Sequence, residues 1–205
     1  ATAYADIDLL PSLTINGRYT YAYDHLKTEK YYDRSTSIGQ SYKGQAFLSH
    51  EENVKHQIEG VATYHPKMEG KHDIKITAGT SYIYQKGKGD EVQAYGFASD
   101  VFSFKNIGAA QHLDWIGSGE SSIKKASAFG RAEYIFNNRY ILNGSVRADG
   151  SSVFGADYRW GIFPAGSLAW HLGEESFMAF AKPLFSRIKL RTSYGLSGND
   201  GIRFG

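Results

Sequence analysis

Cysteine is absent from the 205 residues, methionine occurs twice and proline four times. Without cysteine there is no disulfide scaffold and no thiol chemistry. No uncharged apolar run reaches the roughly 18 residues that a transmembrane helix needs, and mean hydropathy is −0.41. Charge of one sign is missing too: 23 Lys and Arg against 21 Asp and Glu leave +2. No basic block is interleaved with aromatics, so nucleic acid is not an expected partner. Residues 1–17 have neither a basic start nor a continuous apolar stretch, so they hold no secretion signal. Together with a chain that stops just after a strand-like run, this reads as an interior piece of something larger. What is abundant is tyrosine (15) and glycine (23), which suits β-barrels with aromatic girdles and glycine-rich turns. A membrane role for such a chain has to use strands.

Seven segments alternate with period two. Leu13 to Tyr23 sets Leu13, Ile15, Gly17, Tyr19, Tyr21 and Tyr23 against Thr14, Asn16, Arg18 and Thr20. Asn53 to Tyr64 sets Val54, Ile58, Ala62 and Tyr64 against Lys55, Gln57, Glu59 and Thr63, with His56 a polar intruder on the apolar side. The other five are Lys71 to Tyr84, Ala126 to Phe136, Arg139 to Asp149, Trp160 to Trp170 and Ile188 to Leu196. No apolar-face position in them holds a charged residue.

These runs are about 10 to 13 residues long, against about 5 to 6 for globular strands and about 9 to 11 for a bilayer crossing. Trp160 and Trp170 share parity, about 33 Å apart along a strand and about 25 Å apart once barrel tilt is applied. That matches an outer-membrane apolar band, and Tyr19, Tyr21, Tyr23, Tyr82, Tyr84, Tyr134, Tyr140, Trp160 and Trp170 are the candidate membrane-interface aromatics. Connections alternate as in such barrels: long at 24–52, 85–125 and 150–159, short at 65–70 and 137–138. The link 173–187 breaks the rule, and Glu174 to Ala181 reads as one or two helical turns stopped by Pro183. Pro164 cannot donate to a ladder, so a bulge or irregular pairing is expected beside it.

On the opposite, lumen-facing side the candidates for substrate or plug contact are Arg18, Lys55, Arg131, Glu133, Arg147 and Arg191; a solvated, mutually paired interior is the bland alternative. Asp149, Gly150, Ser151 and Ser152 read first as a turn at a strand end and second as a cation or sugar-hydroxyl site. His50-Glu51 fails as a zincin start because residue 54 is valine. His65 and His72 flank a short turn, yet no third metal ligand has a fixed spacing to them. Gly117-Ser118-Gly119 lacks the lysine of a phosphate loop. The Asn143-Gly144-Ser145 sequon sits inside a strand. Tyr31, Tyr32, Tyr42, Phe47, Tyr95, Phe97, Phe102 and Phe104 crowd the first two long connections, either to touch a ligand or lid or to pack those connections.

The stretch from Arg139 to Trp170 resembles the signature of SusC/RagA-type TonB-dependent outer-membrane transporters. The match runs through Val146, Arg147, Asp149, Gly150, Ser151, Ser152, Phe154 and Gly155, then Arg159, Trp160, Gly161, Phe163, Pro164 and Trp170. Blocks on either side, within Ser127 to Asn199, follow the family's order, and the EESFM element from Glu174 is similar to the family's. Ala148, Ile162 and Ala165 depart from the pattern. The resemblance implies an all-β, antiparallel transmembrane barrel of about 22 strands with an N-terminal plug. Residues 1–205 would supply about seven of those strands, without the plug or a TonB box. It also implies an outer-membrane location, TonB as energy source, a SusD-type surface lipoprotein as partner, and import of oligosaccharides or peptides. Transport is not catalysis, so no catalytic residue, cofactor or metal is expected.

Two other readings compete with import: a structural or adhesive outer-membrane barrel, and a soluble carbohydrate-binding β-sandwich. A lone sheet of seven such strands would leave two edges and an apolar face open to water, which weighs against the sandwich.

Overall fold

The computed structural model describes residues 1–154, 159–181 and 183–198; Gly155 and Asn199 of the blocks above lie outside the described residues. Eight strands follow one another: β1 (Thr2–Leu10), β2 (Leu13–Tyr32), β3 (Gln45–Tyr64), β4 (His72–Phe97), β5 (Ala110–Phe136), β6 (Tyr140–Ser151), β7 (Trp160–Trp170) and β8 (Leu190–Gly195). They pair in that order as a single sheet. A sandwich needs two packed sheets, so the β-sandwich reading fails on architecture.

Alternation gives seven strands; the eighth is β1. Its pattern is present but weak, because Ala3 and Ala5 stand where bulkier apolar residues mark the other strands. Pairing leaves no doubt about its faces: Ala5↔Gly17 and Ile7↔Ile15 share the apolar side, Tyr4↔Arg18 and Asp6↔Asn16 the polar side.

The chain divides into two compact units. The first comprises Ala1–Thr20, Gln57–Ile83 and Lys124–Gly205. Here the registers stack like on like. Leu142 faces Tyr134 and Leu168, Val146 faces Gly130 and Pro164, and Ala148 faces Ala128 and Ile162. One residue along, Asn143 faces Glu133 and Ser167, and Arg147 faces Phe129 and Phe163. No large side chain is fully buried among the described residues, and Leu142, Val146 and Ile162 are 53%, 49% and 66% exposed. An apolar row of this extent is unstable against water and stable against hydrocarbon.

Pro164 causes no bulge against β6: the β6–β7 register runs unbroken from Tyr140↔Trp170 to Gly150↔Trp160. In an antiparallel ladder the N–H and C=O of one residue point to the same neighbour. Leu196 N–H donates to the Pro164 carbonyl at 3.0 Å, so the missing proline donor faces β8. The β7–β8 register begins one residue further on, at Ala165↔Gly195. The proline removes one bond at the end of that ladder and leaves the β6 ladder intact.

The turns of this unit are joined to one another. His65 N–H donates to Ser12 O, Asn137 N–H to Lys71 O and His171 N–H to Arg139 O, so each hairpin end bonds to the next. At 137–139 the chain reverses with Asn137 and Asn138 both at positive φ, 52° and 54°, a conformation asparagine tolerates well. After β7 come two short 3-10 helices, Leu172–Glu174 and Ser176–Ala181, where the helical turns were expected. Between them Glu175 accepts hydrogen bonds from Trp170 Nε1 (3.0 Å), Tyr140 Oη (2.8 Å) and Arg139 (3.0 Å). Tyr140 stacks on Trp170 at 6.0 Å and Phe177 meets that indole edge-on at 6.3 Å.

The second unit comprises Tyr21–His56 and Tyr84–Ile123. The stretches expected as long loops are mostly strand: β2 and β3 extend to a 12-residue connection at 33–44, β4 and β5 to one at 98–109. Both faces of these extensions carry polar residues, so the apolar period that identifies a half-buried strand is lost while the backbone ladder goes on. The first connection holds a helix, α1 (Ser37–Tyr42), whose N-cap Thr36 accepts from Gly39 N–H. The aromatics of this unit make a small core. Tyr31 meets Phe97 edge-on at 5.4 Å, Tyr42 meets Tyr95 at 5.3 Å, and Phe97 is 2% exposed. Tyr31 donates to Asp100 at 2.8 Å; burial first, and then Asp100, push its hydroxyl up to about 12.

Two outcomes are expected. Val146→Arg, on the apolar face of mid-band β6, should lower the stability of the complete protein in lipid vesicles by about 2–4 kcal/mol in reversible denaturation. Ser145→Arg, on the other face, should be tolerated. Hydrogen bonds from Trp170 and Tyr140, with the Arg139 charge, hold the Glu175 carboxyl below its ordinary value of 4.5. A depressed carboxyl stabilises fully above its ordinary value and loses that contribution as pH falls through the lowered one. In the complete protein in lipid vesicles, stability against denaturant should include a contribution that is constant from neutrality to pH 4.5 and is lost in a step below it. Glu175→Gln should abolish that step.

Candidate functional site

The polar face of the first unit gathers side chains from six strands. On β2, Asn16 donates to Asp6 at 2.6 Å, Thr14 donates to Asp8 at 2.7 Å, and Arg18 lies 3.8 Å from Glu59 of β3. On β5 and β6, Arg131 reaches Asn143 (3.0 Å) and Glu133 (3.4 Å), while Nε of Arg147 bonds both oxygens of Asp149 at 2.9 and 2.7 Å. Ser81 and Ser127 share a hydrogen bond at 2.7 Å.

Two of the clefts on this face share part of their lining. One, of about 590 Å³, is lined by Ser127, Arg147, Asp149, Ser151 and Phe163 among others. The second, of about 530 Å³, is lined by Tyr4, Asp6, Arg18, Glu59 and Phe129 among others. Ser81, Ser127 and Arg147 line both. Phe129 reaches its place because Gly79 leaves room: a Cβ there would stand 2.5 Å from the Phe129 ring. The result is a surface of hydroxyls, paired charges of both signs and aromatic rings. Such a surface can hydrogen-bond a polar oligomer through donors and acceptors alike and stack on its flatter parts.

Of the six candidate lumen residues, Arg18, Arg131 and Arg147 therefore lie on this face with carboxylate or amide partners, and Glu133 lies there paired with Arg131. Arg191 of β8 faces Ala169, with no ion pair among the described residues. Lys55 lies in the second unit. Asp149, Gly150 and Ser151 fall within β6 rather than in a turn, and Ser152 bonds the Lys124 backbone through its own N–H and Oγ. His65 and His72 do not face each other: His65 pairs with Asp73 and His72 with Tyr134, each at 2.7 Å. Among the described residues no group of three or more His, Asp or Glu is placed to hold a metal.

The candidate interface aromatics take the apolar face. Tyr19 lies opposite Ala3. Tyr21, His56 and Tyr84 form a row with centroids 5.2 and 6.3 Å apart, which gives the intruding histidine its place. Tyr23 reaches Glu52 by a hydrogen bond, and Tyr82 is exposed. Tyr134 stacks on His72 at 5.9 Å, and Tyr140 on Trp170. Trp160 lies over Gly150, where a Cβ would come within 2.9 Å of the indole. Sequence reasoning missed Asp6, Phe129 and Phe163 as cleft residues, and Asp8 near Asp6 on the same strand. The two aspartates were readable from the alternation of β1; the two phenylalanines stand out only once register places them among polar neighbours.

No protein-family model matches the chain. TonB-dependent receptor P3 of Formosa agariphila is 25% identical over 202 residues, covering 98% of this chain and 20% of that protein. TonB-dependent receptor SusC of Bacteroides thetaiotaomicron is 43% identical over 76 residues, 37% of this chain and 8% of that one. Among solved structures, that of the RagAB peptide transporter superposes on 98% of the chain with a TM-score of 0.81, using 22% of its own chain. Its identity of 20% speaks to the fold alone. The chain spans about a fifth of the length of the curated relatives that it matches from end to end. A barrel-wall fold, alternating faces across eight strands and shared sequence on both sides of the Arg147–Asp149 pair together place the chain among the SusC/RagA-type TonB-dependent receptors, as a stretch of their β-barrel wall.

Proposed function

We propose that the chain is part of the wall of an outer-membrane importer driven through TonB, with its apolar face to lipid and its polar face to the lumen. Residues 1–205 are a portion of the barrel domain; the plug, the TonB box and the other strands belong to the rest of the complete protein. The observation that carries this reading is the exposed apolar row of the first unit, backed one residue along by paired Arg and carboxylate side chains. A purely structural barrel would need no two-signed, aromatic-bearing clefts on the inner side.

The clefts support a polar oligomer as cargo, an oligosaccharide or a peptide, and the RagAB relative is a peptide transporter. Arg18, Lys55, Arg131, Glu133, Arg147 and Arg191 contact that cargo or the plug. A SusD-like surface lipoprotein is the expected partner at the mouth.

The test uses the complete protein in its own outer membrane. Arg147→Ala with Phe163→Ala should lower uptake of the cognate oligomer several-fold at unchanged barrel content, and loss of TonB should abolish it. A cysteine at Leu142 should react only with lipid-soluble maleimides and one at Ser145 only with water-soluble ones; the reverse pattern sinks the assignment of faces.

A further inference from the structure

In the second unit one aromatic residue has no share in the small core. Trp115 of β5 is 56% exposed, whereas Phe97 of that core is 2% exposed. The indole is nonetheless held in place. Its Nε1 donates to Glu91 Oε1 of β4 at 2.6 Å, and the ring lies over Gly117, where a Cβ would stand 3.1 Å from Cζ2 and Nε1. A side chain at 117 would lift the ring; glycine lets it lie down along its strand with the other side open.

Two polar side chains of β3 border this ring's neighbourhood. A Cβ at Gly89 would stand 3.5 Å from Glu51 Cγ, and one at Gly87 would stand 2.9 Å from Asn53 Oδ1. Gly87, Gly89 and Glu91 share one side of β4, so Asn53, Glu51, Glu91 and Trp115 gather on a single face.

Charge decides what this face can hold. The nearby cations of the other face are already engaged: Lys86 lies 2.8 Å from Glu120, Lys88 2.7 Å from Glu52 and His50 3.2 Å from Asp90. Lys55 is four residues from Glu51, about 13 Å along the strand. Among the described residues neither Glu51 nor Glu91 has an ion-pair partner, and Glu91 receives only the neutral indole N–H. Two carboxylates beside the open face of an indole attract a cation, by Coulomb attraction and by the ring quadrupole together, and they repel a polyanion. A guanidinium suits them better than an ammonium. It is planar, stacks on an indole, and presents a fixed fork of donors to a carboxylate.

We propose that Trp115, Glu91 and Glu51, with Asn53 at the border, form a subsite for an arginine side chain of a peptide ligand. The guanidinium lies over the open side of the indole and donates to Glu51 and to the second oxygen of Glu91. As a subsite for cargo it rests on the import reading above; the binding step does not.

The complete protein, purified in detergent, would be titrated calorimetrically with a short capped peptide that carries one arginine. The comparison ligands are the same peptide with citrulline, which keeps the shape and loses the charge, and a neutral oligosaccharide. The arginine peptide should bind about tenfold tighter than the citrulline peptide, and added salt should shrink that difference. Glu51→Gln with Glu91→Gln should remove the preference while leaving an acceptor for the indole N–H. Trp115→Ala should weaken the arginine peptide by a similar factor, and Trp115→Phe by less. Equal binding of the arginine and citrulline peptides overturns the proposal. So does a preference that survives Glu51→Gln with Glu91→Gln in a folded barrel, or a neutral oligosaccharide whose binding is the one that Trp115→Ala abolishes. Uptake of the arginine peptide that persists without TonB would instead overturn the import reading and leave the subsite standing.

Discussion

Everything in this chain depends on one requirement: where a strand crosses hydrocarbon, each backbone N–H and C=O must find its partner on the neighbouring strand, because no water is there to replace it. The ladder so enforced has a side-chain period of two, and a slip of one residue would turn every apolar side chain inward. The registers of β5, β6 and β7 satisfy the requirement without a break, and Pro164 survives among them only because its missing donor points to the very end of the β8 ladder. Side-chain chemistry follows from that frame. Leu142 and Val146 share the apolar face because Asn143 and Arg147 share the other.

How much of this was legible in the sequence depended on whether two different solvents lie on the two sides. Within Trp160–Trp170 and Tyr140–Asp149 one side is apolar and the other largely polar, and from that alternation both strands could be read. Past Tyr23 and Tyr84 both sides carry polar residues. The alternation stops although β2 and β4 run on to Tyr32 and Phe97, so strands pass for loops. β1 was hidden for a different reason, its apolar positions being filled partly by alanine.

The candidate site was legible by face but not by partner. That Arg18, Arg131 and Arg147 lie opposite the apolar row follows from counting. That Arg147 is held by Asp149, two residues along its own strand, while Arg131 reaches across to Asn143, depends on rotamers and register that no counting supplies. The same holds for Phe129, whose position over Gly79 requires the β4–β5 neighbourhood to be known. Glu175 was noticed only as part of a helical turn, because its three donors come from Arg139 and Tyr140 at one strand's start and from Trp170 at another's end.

The turn-to-turn bonds, Ser12 with His65, Lys71 with Asn137 and Arg139 with His171, have a mechanical meaning. Hairpins joined only along their lengths could splay at their tips like the staves of a cask without its hoop. Here each tip is fastened to the next by main-chain atoms, which no side-chain substitution short of proline removes, so this end of the sheet resists widening whatever sequence its turns carry.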